Sequence, residues 1–142
     1  MGIVAHYYMD VELQGVLTAV QKEQQLTSNK SNPMVAIADS LAMGDFAVKM
    51  CEEGAEAIAC LGVDFMSESV ATIMAKNGFG HIPVYRLDAN PIGCSLAESA
   101  ERESYRAWLN KSGKDAAALH VVYINTSLET KAVSTSIVPT IT

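Results

Sequence analysis

The chain lacks an excess of basic residues: its 142 residues include 10 Lys and Arg against 16 Asp and Glu, a formal net charge of -6. Binding a nucleic-acid backbone requires clustered cations that displace counterions, so this charge argues against nucleic-acid partners. No apolar run approaches the roughly 18 residues that a transmembrane helix needs. No charged segment followed by an apolar one opens the chain as a signal peptide would. We expect no nucleic-acid partner and no membrane partner.

Cysteine is scarce as well. The three cysteines, Cys51, Cys60 and Cys94, are odd in number and lack a close metal spacing such as C-x-x-C. They fit a reducing compartment better than a disulfide framework. The sequence also lacks a P-loop, and His6-Tyr7-Tyr8 stands where a dinucleotide-binding fingerprint would place glycines. A nucleotide cofactor is not expected.

What the chain does have is the composition of a soluble globular protein, with 49% hydrophobic and 18% charged residues. Five short apolar runs alternate with stretches of helical periodicity. We predict strands at residues 2–5, 34–38, 57–61, 81–85 and 119–124. This alternation predicts an α/β fold, in which a three-layer, doubly wound, Rossmann-like sheet has mostly parallel strands. The length suits one domain, residues 1–142.

The intervening stretches carry helix-boundary residues. We predict N-caps at Asp10, at Asp39 or Ser40, and at Ser127, and helix ends at Gly54 and at Asn77-Gly78. Residues 95–110 are predicted to be mostly helix, and residues 24–33 a polar loop. Residues 139–142 begin a further β segment, which suggests that the chain is a piece of a longer enzyme.

Each apolar run leads into a polar cluster, and parallel strands would bring all five clusters to one sheet edge, where open α/β sheets bind ligands. The clusters are His6-Tyr7-Tyr8, Asp39-Ser40, Gly62-Val63-Asp64-Phe65-Met66, Gly93-Cys94-Ser95 and Asn125-Thr126-Ser127. At the second and fifth, simple helix capping and anion binding at a helix N-terminus both stay open.

Single residues in these clusters also allow more than one interpretation. His6 is either a proton-transfer group or a hydrogen-bonded loop residue. Cys94, ahead of a predicted helix, is a thiolate nucleophile, a metal ligand that needs partners from elsewhere, or neither. The other histidines, His81 and His120, are predicted to be structural.

Five motifs in order give the chain a family resemblance. They are Ala5-His6-Tyr7-Tyr8 with Glu12-Leu13-Gln14-Gly15; Ala38-Asp39-Ser40-Leu41; Gly62-Val63-Asp64-Phe65-Met66-Ser67-Glu68; Gly93-Cys94-Ser95-Leu96-Ala97; and Tyr123-Ile124-Asn125-Thr126-Ser127-Leu128-Glu129-Thr130-Lys131. Over essentially its whole length the chain resembles the amino-terminal third of quinolinate synthase. The sequences of its motifs are most similar to the plant and algal plastid branch of the family.

The resemblance implies a transferase of NAD biosynthesis that condenses iminoaspartate with dihydroxyacetone phosphate to quinolinate. It implies three similar α/β domains around a [4Fe-4S] cluster held by one cysteine from each, with one iron open as a Lewis acid. Cys94 matches the first-domain ligand, so the two other ligands are expected beyond Thr142. A homodimer of the full enzyme and a plastid location are implied as well.

The same resemblance assigns roles to site residues. His6 and Tyr8 contact substrate and assist proton movements, and Ser40 holds a dicarboxylate. Tyr123, a catalytic candidate, orients the triose or the condensed product together with Asn125, and Met66 lines the pocket.

The chain departs from the family pattern in lacking the Cys-Thr-Ser segment expected after Thr142 and the second and third domains. We expect the fragment alone neither to hold the cluster stably nor to turn over. The competing hypothesis is a non-catalytic α/β module that binds a small carboxylate or phosphate.

Overall fold

A computed structural model describes residues 1–27, 32–114 and 117–142, which divide into two compact units, Met1–Ile92 and Gly93–Thr142. The first unit contains β1 (Gly2–His6), α1 (Val11–Thr27), β2 (Val35–Ala38), α2 (Ala42–Glu52), β3 (Ile58–Leu61), α3 (Asp64–Lys76) and β4 (Val84–Arg86). The second contains α4 (Ser95–Ala100), α5 (Glu103–Ser112), β5 (His120–Val121), α6 (Leu128–Ile137) and β6 (Thr140–Ile141).

The first unit is built on a parallel four-stranded sheet in the order β2-β1-β3-β4. Side chains alternate between the two faces of β1. Ala5 packs with Leu17 of α1 on one face, while Gly2 lies against Met50 of α2 on the other. Helices on both faces explain why β1, β2 and β3 are almost wholly apolar. The predicted α/β fold with a doubly wound parallel sheet is confirmed for this unit.

Most predicted helix boundaries are confirmed. Asp10 Oδ1 accepts the backbone N–H groups of Glu12 and Leu13 at 2.9 and 3.0 Å, as an N-cap does. Gly54 and Gly78 follow α2 and α3 with φ of 91° and 89°, the left-handed conformation that glycine adopts without a steric penalty. The predicted loop over residues 24–33 begins later, because α1 continues to Thr27, and residues 28–31 lie outside the described residues.

The predicted fifth strand of the sheet is wrong. In the second unit β5 covers only His120–Val121 and pairs in parallel with β6, in a separate two-stranded sheet. The segment alternates, with Leu119, Val121 and Tyr123 exposed and Val122 buried. A strand inside the four-stranded sheet would need apolar residues on both faces. The five polar clusters therefore do not follow strands of a single sheet.

Two further boundaries differ from prediction. The helix expected over residues 95–110 is two helices, α4 and α5, because Arg102 has an extended backbone (φ -64°, ψ 143°) that interrupts helical hydrogen bonding. The strand expected at residues 81–85 begins at Val84, since Ile82 forms a turn with Phe79 and Pro83 has no N–H to donate. Within the described ranges, no helix is both long and apolar enough to cross a membrane.

Close packing of α2 on α3 depends on Gly44. A Cβ at this position would overlap Ile73 Cδ1 and lie 3.1 Å from Ile73 Cβ. We expect Gly44→Val to lower the free energy of unfolding by about 1–3 kcal/mol through overpacking. Exposed Gly15 of α1 has no neighbour within 4 Å of such a Cβ, so Gly15→Val is the matched control and should change stability by less than about 0.5 kcal/mol. Urea unfolding of both variants measures the difference, and equal losses would contradict the packing argument.

Candidate functional site

The carboxyl edge of the four-stranded sheet gathers three of the predicted clusters. β1 pairs with β2 so that His6 lies opposite Ala38, and with β3 so that Ala5 lies opposite Leu61. The segments that follow these strands therefore emerge side by side. With strand order β2-β1-β3-β4, the connections leave β1 and β3 in opposite directions, and this switch point is where open α/β sheets hold ligands.

His6 and Ser40 meet at this edge. The His6 side chain is buried, with the residue only 4% exposed. Its Nε2 lies 3.2 Å from Ser40 Oγ, and its Nδ1 accepts the backbone N–H of Tyr8 at 3.3 Å. Because Nδ1 accepts, the neutral ring carries its proton on Nε2 and donates it to Ser40 Oγ.

Burial keeps His6 in its neutral form. It lowers the pKa of the imidazole below the usual value of 6.5, while the nearby Asp39 carboxylate opposes this shift in part. A neutral imidazole can accept a proton from a substrate or donate a hydrogen bond through Nε2. His6 is therefore buried and hydrogen-bonded, which is compatible with both predicted interpretations, a proton-transfer group and a hydrogen-bonded structural residue.

The lowered pKa of His6 predicts a pH dependence of stability. The unfolded chain binds a proton at His6 near pH 6.5, whereas the folded chain binds it only at lower pH. The free energy of unfolding should therefore fall as the pH drops below 6.5 toward the folded-state pKa. His6→Gln should remove this part of the slope, and His81→Gln, at an exposed histidine, should leave it. Denaturant unfolding between pH 7 and pH 5 tests this, and an unchanged slope in His6→Gln would overturn it.

Asp39 and Ser40, which the sequence offered as alternative caps of α2, make different contacts. Asp39 Oδ1 accepts the backbone N–H groups of Leu41 and Ala42 at 2.9 and 2.8 Å, so Asp39 caps the start of α2. Ser40 is buried and turns its hydroxyl toward His6. Simple capping therefore explains Asp39 and does not explain Ser40.

Two tyrosine rings surround His6. The Tyr7 ring stacks on it at a centroid distance of 5.0 Å, and the Tyr8 ring meets it edge-on at 4.9 Å. Tyr8 is 77% exposed, so its hydroxyl is accessible. Gln14 Nε2 donates to the carbonyl groups of Tyr7 and Met9 at 2.6 and 2.7 Å and ties this loop to α1. Sequence reasoning gave Gln14 no role, although it lies inside a family motif.

Met66 lies one turn into α3, after β3. It is buried, and its sulfur would be only 2.6 Å from a Cβ on Gly62. Only glycine at position 62 admits this thioether without displacement. Asp64 binds Arg86 at 2.5 Å, and its backbone N–H donates to the Ile92 carbonyl at 3.0 Å, which anchors the loop after β4. Met66 thus packs against Gly62 at the end of β3.

Cys94 belongs to the second unit, where it immediately precedes α4 and is partly exposed. The other two cysteines are buried in the first unit. Burial raises the pKa of the Cys60 thiol to about 12. Burial, with a smaller effect of Glu52, also raises the pKa of the Cys51 thiol. Metal binding needs a thiolate, which burial disfavours at Cys51 and Cys60.

A complete metal site is not formed by the residues that the structure describes, among which no group of three His, Cys, Asp or Glu side chains could hold an ion. Of the three cysteines, all within the described residues, Cys94 is the one that is not buried.

Tyr123 and Asn125 also lie in the second unit, on the turn between β5 and α6. Tyr123 is 59% exposed and Asn125 partly buried. The Thr130 backbone N–H donates to Ser127 Oγ at 3.2 Å, which confirms Ser127 as the N-cap of α6. His120 Nε2 is hydrogen-bonded to the Tyr105 hydroxyl at 2.6 Å, and His120 Nδ1 is hydrogen-bonded to Thr140 Oγ1 at 3.2 Å. These contacts support the predicted structural role of His120. The structure thus joins His6, Tyr8 and Ser40 in one unit, and Tyr123 and Asn125 in the other.

Known proteins resemble the chain along its entire length. A family model described as Quinolinate synthetase A protein matches residues 1–141. The protein named "Quinolinate synthase, chloroplastic" from Oryza sativa subsp. japonica is 51% identical over 142 residues, which are 100% of this chain and 19% of that protein. The protein of the same name from Arabidopsis thaliana is 50% identical over 100% of this chain and 19% of that protein.

A relative from Nicotiana tabacum with the same name is 51% identical, again over 100% of this chain and 19% of that protein. The chain therefore spans 19% of the length of these curated relatives, less than the third expected from three equal domains. No solved structure matches the chain significantly.

Proposed function

The chain belongs to the quinolinate synthetase A family, and on that premise we propose that it forms part of the active site of a quinolinate synthase. The complete enzyme condenses iminoaspartate with dihydroxyacetone phosphate in NAD biosynthesis. The observation that carries the proposal is the buried His6–Ser40 pair at the carboxyl edge of the sheet. Two apolar side chains would fill this buried position at a lower desolvation cost than a hydrogen-bonded histidine and serine. The polar pair therefore favours a chemical role over a purely structural one.

In this proposal His6 moves protons and Ser40 binds a carboxylate. The condensation, ring closure and dehydrations require protons to leave carbon and nitrogen and to reach departing oxygen atoms. His6 takes up such a proton at Nδ1 once the 3.3 Å hydrogen bond from the Tyr8 backbone N–H opens, and it can return the proton later in the sequence. The Ser40 hydroxyl, next to the first N–H groups of α2, hydrogen-bonds one carboxylate of iminoaspartate.

The remaining assigned residues complete the proposal. Tyr8 offers its exposed hydroxyl to the substrate beside His6. Tyr123 and Asn125 orient the triose or the condensed product, and Met66 supplies the apolar floor. These roles follow the family resemblance and are compatible with the burial of each side chain.

Cys94 is proposed as one ligand of a [4Fe-4S] cluster whose two other cysteines lie elsewhere in the complete enzyme. The cluster would supply an iron that acts as a Lewis acid toward a substrate oxygen. The fit rests on the contrast among the three cysteines, since Cys94 alone is not buried. The two further domains and a homodimer belong to the same proposal. We place the complete enzyme in the plastid, because the relatives are named chloroplastic.

Genetic complementation tests the proposed function. A chimera in which residues 1–142 replace the matching segment of the Oryza sativa protein should restore growth of a bacterial strain that requires quinolinate. The 142-residue chain alone should not restore growth, because it supplies one cluster ligand. Failure of the chimera at an expression level equal to that of the unmodified plant protein would contradict the proposal. It would instead favour a module that only binds a small carboxylate or phosphate.

A further inference from the structure

We propose that Lys131 is a positioning residue that fixes the turn carrying Tyr123 and Asn125. Lys131 is the fourth residue of α6. Its Nζ donates to the carbonyl oxygen of Ile124 at 2.8 Å and to that of Thr126 at 2.5 Å. The consequence for catalysis rests on the proposed function, whereas the contact itself does not.

The two carbonyl groups lie between regular elements, so Lys131 gives them a donor that no strand or helix ladder supplies. β5 ends at Val121 and α6 begins at Leu128, so the strand and helix ladders do not reach residues 124–126. Ile124 O also accepts the Thr126 backbone N–H at 2.9 Å. Thr126 Oγ1 donates to Tyr123 O at 3.0 Å and closes the turn from within. Lys131 therefore joins the turn to the helix that follows it.

The position of the charge supports a specific role. A cation near the amino-terminal end of a helix faces the positive end of the helix dipole, which disfavours lysine there. The two carbonyl oxygens at the Lys131 ammonium group offset this cost. A residue that breaks a local helix rule while holding a turn is typical of functional positions. The backbone on both sides of Asn125 is bound by one side chain, so Lys131 restrains the position of Asn125.

Hydrogen exchange tests the contact directly. In the chimera, Lys131→Met removes both donors while keeping an unbranched apolar side chain. Amide exchange measured by mass spectrometry should become faster in peptides covering residues 122–127 and stay unchanged over β1 and α2. Lys111→Met, at an exposed lysine of α5, is the matched control and should change neither region. Unchanged exchange at residues 122–127 in Lys131→Met would overturn the proposal.

Kinetics test the positioning role. Lys131→Met should lower kcat/KM for quinolinate formation by about 10²-fold, as small misplacements of substrate-orienting groups do. Asn125→Ala should produce a similar loss, and the double variant should be hardly worse than either single one, because both act through the same turn. Losses that multiply would overturn the role of Lys131 through Asn125. Lys131→Arg keeps hydrogen-bond donors and the charge, so it should retain more activity than Lys131→Met. If the methionine variant does not fold, the arginine variant replaces it in these measurements.

The two experiments separate the proposals. An unmodified chimera that makes no quinolinate would overturn the proposed function, and the exchange measurement would still decide whether Lys131 holds the turn. If the chimera is active but the losses of Lys131→Met and Asn125→Ala multiply in the double variant, only the positioning role is overturned.

Discussion

Replacing Cys94 by Ser in the chimera should lower quinolinate formation by about 10³-fold or more, because a lost Lewis acid costs several kcal/mol of transition-state stabilisation. Iron and sulfide content of the anaerobically reconstituted protein should fall in parallel. A serine hydroxyl stays protonated near neutral pH and replaces a thiolate poorly as an iron ligand. Cys94 precedes α4 on a partly exposed segment, so the substitution should leave the fold intact.

Cys51 provides the matched control for Cys94. It is buried on α2, where cysteine packs as a small apolar side chain. Cys51→Ala should reduce stability slightly and leave iron content and kcat/KM unchanged. Full activity and iron content in Cys94→Ser would refute the assignment of Cys94 as a ligand.

Replacing His6 by Gln should lower kcat by about 10²–10⁴-fold, the usual contribution of a positioned proton-transfer group. Glutamine can still hydrogen-bond Ser40 but cannot carry a proton between substrate atoms. Because burial lowers the pKa of His6, the acidic limb of the pH profile of the parent enzyme should lie below pH 6.5. Asp39→Asn keeps the capping oxygen and removes the charge that raises the His6 pKa, so it should move this limb to still lower pH.

Tyr7→Phe is the control for His6, since it keeps the ring that stacks on the imidazole. Its kcat should stay within about threefold of the parent value, a change in barrier below 1 kcal/mol. A similarly small effect of His6→Gln would exclude His6 as the proton-transfer group.

Local signals allowed much of the first unit to be predicted. The strands β1, β2 and β3 are apolar on both faces, which identifies them without knowledge of their neighbours. Asp10 caps the start of α1 with its side-chain carboxylate, and Gly54 follows the end of α2 with a positive φ. Such features depend on residues a few positions apart, so the sequence displays them directly.

The sequence did not reveal which strand the segment at residues 119–124 pairs with. The segment at residues 119–124 is apolar enough for a strand, but its pairing with β6 depends on residues about twenty positions away. The break between α4 and α5 depends on the backbone of Arg102, which has ordinary helix propensity. The first error arises because tertiary pairing overrides local preference, and the second because residue type did not reveal the extended backbone of Arg102.

In the candidate site, too, the positions of residues along the chain were predictable, whereas their contacts were not. His6 and Ser40 are 34 residues apart, and the sequence placed both at strand ends. Their hydrogen bond follows from the β1–β2 register, which brings His6 opposite Ala38. Lys131 and Gln14 were missed as anchors because their partners are backbone carbonyl groups, which leave no trace in residue type.

The rate of quinolinate formation by the purified, anaerobically reconstituted chimera tests the central claim most directly. With iminoaspartate and dihydroxyacetone phosphate as substrates, the chimera should form quinolinate within about tenfold of the rate of the unmodified Oryza sativa protein, a barrier difference of 1.4 kcal/mol or less. A chimera that folds and holds a full complement of iron yet forms no quinolinate would contradict the claim that these residues build part of a quinolinate synthase active site.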